Sequence, residues 1–398
     1  MSNLLNPAIA SQMTNASWIR KMFEAGRELS RRVGAENVFD FSLGNPDVPP
    51  PALAANVLRG LADTVNQPMS VGYCPNQGLP SLRAALAQKL SAEQHTPVTA
   101  DHLVVTCGAA GAITAFFRAV LEPADEIIVP APYFVEYGAY AGHFGGKLLP
   151  VATTRPDFQL DIAAIEAAIT AKTRVILINT PNNPTGACYT QATLNALAAL
   201  LERVNANRDR PVFLLSDEPY RTLAYDGFVV PPILPLSPFA IVIGSFSKSL
   251  SLAGERIGYL LANPALDGVA QLIGAVTMTT RTLGFVNAPI LGQKLVEQLL
   301  NEQVDVSIYA RRRATMARVL SNAGIKFTEP RGAFYFFPEV PGGDDLAFVN
   351  ALFEQNILAV PGTGFGCPGF FRLTFCVNEQ TIERAADGFK RAVEKIKE

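Results

Sequence analysis

The chain has 398 residues and a formal net charge of −2, with 49% hydrophobic and 17% charged residues. Such a length and apolar content suit a globular chain of two domains with a large core, and the near-zero charge excludes a general attraction for nucleic acid or anionic membrane. No uninterrupted apolar run is long enough to span a bilayer, and the first seven residues lack the basic-then-apolar pattern of a signal peptide. Five scattered cysteines (Cys74, Cys107, Cys188, Cys367, Cys376) form no Cys-x-x-Cys pair and read as reduced thiols of a cytoplasmic protein. His95, His102 and His143 are too few and too dispersed for a metal cluster, so no metal site is expected.

Taken in order, Ser17 to Arg32 reads as an amphipathic helix with Asn15 as a possible cap. Val38 to Ser42 alternates like a strand and runs into Leu43-Gly44-Asn45-Pro46-Asp47, where a glycine lets backbone approach a ligand, although an ordinary turn has the same composition. Gly72 to Pro80 reads as a loop, and Leu82-Arg83 opens a helix. Strand Leu103–Thr106 leads through Cys107, Gly108, Ala109 and Ala110 into a helix, and the free N–H groups of such a turn suit a phosphate. Strand Glu126–Val129 leads to Tyr133 and Phe134, aromatics placed to stack on a flat ring or to fill a core.

The next three strands each end in a polar group. Arg174–Asn179 ends in Thr180-Pro181-Asn182-Asn183-Pro184-Thr185-Gly186, a rigid turn at the edge where open α/β sheets bind ligands. Val212–Ser216 ends in Asp217, a carboxylate that costs desolvation unless it meets a cation or caps a helix. The apolar run Ala240–Ile243 ends in small polar residues and then Lys248. An amine with small neighbours has room for a flat partner and can condense with an aldehyde when its pKa is lowered, whereas most lysines are simply solvated. Tyr259–Ala262 reads as a returning strand, and residues 264 to 322 as mainly helical with Arg281 among them. Strands follow at Gly324–Phe327, Gly332–Phe337 and Phe370–Phe375, and a last helix at Glu379–Lys397. Arg372, inside a strand of aromatics, needs an anionic partner.

The ordered set of motifs resembles the class I/II aminotransferases, enzymes of fold type I that depend on pyridoxal 5′-phosphate. It comprises Gly44-Asn45-Pro46-Asp47, Gly72-Tyr73-Cys74-Pro75, Asn183-Pro184-Thr185-Gly186, Asp217 with Tyr220, Ser245-Phe246-Ser247-Lys248 with Gly254-Glu255-Arg256-Ile257-Gly258-Tyr259, and Arg372-Leu373-Thr374-Phe375. The resemblance spans nearly the whole chain. It implies an α/β fold, a mostly parallel sheet with helices on both faces plus a smaller α+β domain. The implied division is an N-terminal segment 1–48 belonging to the small domain, a large cofactor domain 49–280, and a C-terminal small domain 281–398.

By the same resemblance Lys248 carries the cofactor as an internal aldimine and moves the proton between Cα and C4′. Asp217 keeps the ring nitrogen protonated. Asn183 and Tyr220 hydrogen-bond the ring's O3′, and Tyr133 (or Phe134) stacks on the ring. Gly108, Ala109, Ala110, Ser245, Arg256 and Tyr73 hold the phosphate, with Tyr73 reaching across a homodimer that shares its sites. Gly44, Asn183 and Arg372 contact the substrate, Arg372 through its α-carboxylate, while Arg281 or Arg20 would meet a distal carboxylate. The implied activity is ping-pong transamination from an aspartate- or aromatic-type L-amino acid to a 2-oxo acid such as 2-oxoglutarate. The alternative is a C–S β-elimination lyase on the same scaffold. A non-enzymatic cofactor-binding regulator would need a basic helix-turn-helix segment ahead of residue 17, and none is expected.

Overall fold

A computed structural model describes residues 4–6, 9–10 and 18–398, apart from the side chains of Ile19, Arg20 and Phe23. The chain divides into two compact units. The larger holds Pro46–Ile308 with Pro330–Ala333; the smaller holds residues up to Asn45 with Tyr309–Glu329 and Phe334–Glu398. Strand β1 (Phe39–Asp40) belongs to the smaller unit.

The larger unit is built on a seven-stranded sheet. Its strands are β2 (Leu103–Cys107), β3 (Glu126–Ala131), β4 (Lys147–Ala152), β5 (Thr173–Asn179), β6 (Phe213–Asp217), β7 (Ala240–Ser245) and β8 (Ile257–Ala262), in the order β2-β8-β7-β6-β5-β3-β4. Only β8 runs against its neighbours. The central strands are unbroken apolar runs because both faces are covered, which removes the alternation of a one-sided sheet. Ile176, Leu214 and Val242 face one core with helices Pro80–Glu93, Gln191–Asn205 and Ile290–Gln298. Val175, Leu215 and Ile241 face the other with helices Gly108–Val120, Glu136–Gly142 and Val269–Thr282.

Register brings the strand ends level. Asn179 pairs with Asp217, Asp217 with Ile243, and Gly258 stands opposite both Thr106 and Ser245. The carboxyl edge therefore carries Cys107, Asn179, Asp217 and Ser245 side by side, the edge at which such sheets bind ligands.

The larger unit runs on to Ile308, past the expected boundary at 280. Leu295 and Val296 of helix Ile290–Gln298 join the core around β8, and Val304 N–H donates to the Ser249 carbonyl at 2.9 Å. Residues 330–333 belong there too: Arg331 and Gly332 N–H both donate to the Gly186 carbonyl, and Gly332 bridges Ala224. The strand expected over Gly332–Phe337 is correspondingly short, Tyr335–Phe336 (β9).

In the smaller unit β1 pairs in parallel with β10 (Ile357–Leu358), and β12 (Phe371–Thr374) lies between β11 (Val360–Pro361) and β9, antiparallel to both. Phenylalanine fills its core: Phe41, Phe334, Phe336, Phe348, Phe371, Phe375 and Phe389 are fully buried. The strand expected at Gly324–Phe327 is irregular, because its backbone finds one ladder-like bond, Glu339 N–H to the Lys326 carbonyl at 2.9 Å. The helix expected over Ser17–Arg32 spans Trp18–Val33, with the expected Asn15 cap outside the described residues. The last is two helices, Glu379–Arg384 and Ala386–Lys397. Among the described residues no helix is long and apolar enough to cross a membrane, and no group of three or more metal-ligating side chains assembles.

Candidate active site

Lys248 sits in a one-turn helix, Phe246–Ser249, that begins where β7 ends. The turn is set by Ser245, whose Oγ accepts from the Ser247 N–H at 3.2 Å and donates to Ser247 Oγ at 2.9 Å. Lys248 is half-buried at the carboxyl edge.

Beside it, helix Gly108–Val120 starts with no side-chain cap, so the N–H groups of its first turn lack acceptors within the helix. Gly108 has φ +72°, a conformation that favours glycine, and a Cβ there would lie 2.6 Å from Arg256 Nη2, which lies close to the helix start. Arg256 is itself left-handed at φ 57°, ψ 46°, a backbone strain typical of functional positions, and its Nη1 donates to the Ala253 carbonyl at 3.1 Å. The helix dipole, the open N–H groups and the guanidinium beside them are suited to an anion.

Asp217 closes β6 and is buried. Its Oδ2 accepts the Tyr137 hydroxyl at 2.5 Å, while its Oδ1 is buried with no hydrogen-bond partner. Burial pushes its carboxyl up to about 7, against the lowering effect of the Tyr137 bond and with a further rise from Glu218. The Asp217 carbonyl accepts from Asn179 Nδ2 at 2.8 Å, and Asn179 Oδ1 accepts the Asn183 N–H at 2.7 Å, which ties the Asn-Pro-Thr-Gly turn to β6. Asn182 Oδ1 braces the same turn by accepting from both the N–H and the hydroxyl of Thr185. Asn183 and Tyr220 are buried, and Tyr133 is half-buried just past β3. Phe134, half-buried as well, packs edge-to-face with Tyr137, ring centroids 5.5 Å apart.

A folded Asp217 pKa raised from 3.8 to about 7 means that the folded state binds this proton more tightly than the unfolded chain. Its stabilising effect in the cofactor-free protein is present below about pH 4 and lost as pH rises through about 7, by on the order of a few kcal/mol. Urea titrations at stepped pH should show that decline, and Asp217→Asn should flatten it.

In the smaller unit Arg372 is 2% exposed. Its guanidinium lies between the rings of Tyr335 (4.7 Å) and Phe365 (4.8 Å), and Nη2 donates to the Ser42 carbonyl at 2.5 Å. Tyr335 also fills the space beside Gly44, where a Cβ would come within 1.8 Å of its hydroxyl. Gly44 and Arg372 are thus joined through one ring.

The predicted residues Gly108, Ala109, Ala110, Asn183, Asp217, Tyr220, Ser245, Lys248 and Arg256 gather along the carboxyl edge of the large sheet. Tyr73 lies apart on a loop, 86% exposed, and Arg281 is exposed near the end of its helix. The side chain of Arg20 lies outside the described residues. Sequence reasoning missed Tyr137, whose only signal was its place four residues after Tyr133, and the Tyr335–Phe365 sandwich.

An open α/β sheet with an anion cradle, a buried unpaired carboxylate oxygen and a lysine at one edge defines a phosphate-cofactor enzyme. The chain matches the family model for aminotransferase class I and II over residues 36–389, and it belongs to that family. It is similar to an aspartate aminotransferase of Thermotoga maritima, 33% identical over 88% of this chain and 90% of that one. It superposes on an amino transferase from Eubacterium rectale at a TM-score of 0.95, 36% identical with both chains wholly covered. It also superposes on the aspartate aminotransferase of Thermus thermophilus with maleate at 0.85, 28% identical over 98% and 100% of the chains. The protein is an aminotransferase, and its cofactor is pyridoxal 5′-phosphate. The residues present fit that group: the orphaned Asp217 Oδ1 suits a cationic ring N–H, and the cradle at Gly108 suits the phosphate.

Proposed function

We propose that the chain transfers the amino group of an acidic L-amino acid, aspartate or glutamate, to a 2-oxo acid by a ping-pong reaction. The buried, unpartnered Oδ1 of Asp217 at the edge that also carries Lys248 is the observation that supports it most directly. The bound cofactor supplies an electron-withdrawing ring that stabilises negative charge at the substrate Cα. Asp217 holds a proton on the ring nitrogen, and Asn183 and Tyr220 donate to the ring oxygen. Ser245, Arg256 and the N–H groups of Gly108, Ala109 and Ala110 hold the phosphate. Tyr133 covers the ring face. Lys248 Nζ would hold the cofactor until the substrate's amine displaces it, and the freed amine would then take the proton from the substrate Cα and deliver it to the cofactor's C4′. Arg372 binds the α-carboxylate with its planar fork, beside Gly44.

The acidic substrate rests on the aspartate aminotransferases among the relatives. Arg281, being exposed, is assigned to a distal carboxylate only across a second copy. A homodimer is part of this reading: Leu58, Met69, Val71, Tyr73 and Met278 are large apolar or aromatic side chains exposed on the larger unit. With Tyr73 contributed to the partner's phosphate, each site would draw on both copies.

The test is a half-reaction followed at the visible band of the bound cofactor. Aspartate or glutamate should bleach the band to the amine form, and 2-oxoglutarate should restore it. Pyruvate and ammonia accumulating from cysteine-like substrates, with the band retained, would instead identify the β-elimination lyase.

A further inference from the structure

We infer that Tyr137 is a positioning residue for the cofactor: its hydroxyl fixes the Asp217 carboxylate so that Oδ1 is presented, ionised, to the ring nitrogen. The inference rests on the reading of Asp217 as the partner of that nitrogen. Two buried oxygens share this carboxylate, and the protein answers only one of them. Oδ2 takes the Tyr137 O–H at 2.5 Å, and Oδ1 is left open.

Tyr137 is suited to the task by its surroundings. It is 1% exposed in helix Glu136–Gly142, and the edge-to-face contact with Phe134 prevents the ring from swinging. Burial, then the charge of Asp217 and the bond to it, push the phenol's own pKa well above its usual value, so it remains a donor throughout the working range. The groups facing the pair are Tyr140, Tyr220 and Glu218. Glu218 is engaged by its own donors, Arg221 Nη1 at 2.8 Å and Ser216 Oγ at 2.9 Å. Tyr140 is pushed up chiefly by burial, then by Glu136 and Asp217 and against Arg256, and makes no bond to the carboxylate. Tyr137 is therefore the one side chain among the described residues that donates a hydrogen bond to the Asp217 carboxylate.

A donor to a carboxylate favours the ionised form. Removing the hydroxyl while keeping the ring leaves Asp217 readier to hold its own proton, so the ring nitrogen loses its charged partner. The loss is read without turnover. Cofactor-stripped Tyr137→Phe, titrated with pyridoxal phosphate, should bind it roughly ten- to hundredfold more weakly than the native chain, the factor that corresponds to a hydrogen bond to a charged group. The pH midpoint of the visible band should rise by about half to one unit, because a less charged ring holds the neighbouring proton more tightly. In an Asp217→Ala background Tyr137→Phe should add nothing, since the bond it removes is already gone.

The outcomes separate cleanly. If Asp217→Ala weakens binding and Tyr137→Phe changes neither affinity nor midpoint, the inference is overturned while Asp217 keeps its role. Effects of the two substitutions that simply add would also overturn it, because Tyr137 would then act by packing alone. If Asp217→Ala itself costs no affinity, the reading beneath the inference fails and takes it along.

Discussion

Lys248→Ala is expected to lower kcat/KM for transamination by about four orders of magnitude or more, while the protein still folds and still binds its cofactor without a covalent link. The figure reflects two losses at once, the general base, alone worth about 10²–10⁴-fold, and the attachment that places the cofactor. The fold should survive because the turn around Lys248 is held by other groups. Ser245 caps it, Leu250 N–H donates to the Phe246 carbonyl at 3.3 Å, and Val304 N–H anchors Ser249 from outside. Non-covalent binding should survive because the phosphate cradle and Asp217 do not depend on Lys248. Borohydride reduction followed by mass measurement checks the link, and single-turnover kinetics with each substrate check the proton transfer. A Lys248→Ala chain that could still be tagged covalently by reduction would put the attachment elsewhere. Lys248→Arg is the companion variant: it keeps a charge but supplies no base at neutral pH, so its loss should be as deep.

Much of this site was legible in the chain because each strand of the large sheet announces its end. Val175–Ile178, Leu214–Leu215 and Ala240–Ile243 are apolar because both faces are covered, and the polar residue that closes each strand stands at the ligand edge. Asn179, Asp217 and Ser245 could therefore be placed from the sequence, and with them Asn183 and Lys248 a few residues on. What stayed hidden depends on direction rather than on order. Tyr137 meets Asp217, eighty residues on, through the placement of helix Glu136–Gly142 over the sheet, which no periodicity encodes. The Tyr335–Phe365 sandwich needs the register of β11, β12 and β9, and two of those strands are two residues long. A two-residue strand has no period to detect. The domain limit at 308 was hidden for a related reason, since helix Ile290–Gln298 looks like any other amphipathic helix until its partner in the core around β8 is known.

Arg372 is where the sequence and the packing can be set against each other most sharply. Arg372→Ala is expected to cost roughly 10²–10⁴-fold in kcat/KM, the range for removing one partner of a desolvated, hydrogen-bonded charge pair. The loss should fall on every amino acid and every 2-oxo acid alike, because an α-carboxylate is common to them all, and cofactor affinity should be unchanged. Tyr335, Phe365 and the Ser42 carbonyl fix the guanidinium plane in advance of any substrate. That pre-organisation is why Arg372→Lys should also fail by a large factor: it keeps the charge but loses the fork and the stacking. Thermal melts of both variants separate a catalytic loss from a packing one, since alanine leaves a cavity between the rings and lysine largely fills it. A defect confined to dicarboxylic substrates would assign Arg372 to the distal carboxylate instead. A defect of equal size across monocarboxylic and dicarboxylic substrates, with melting temperature held in the lysine variant, fixes it on the α-carboxylate.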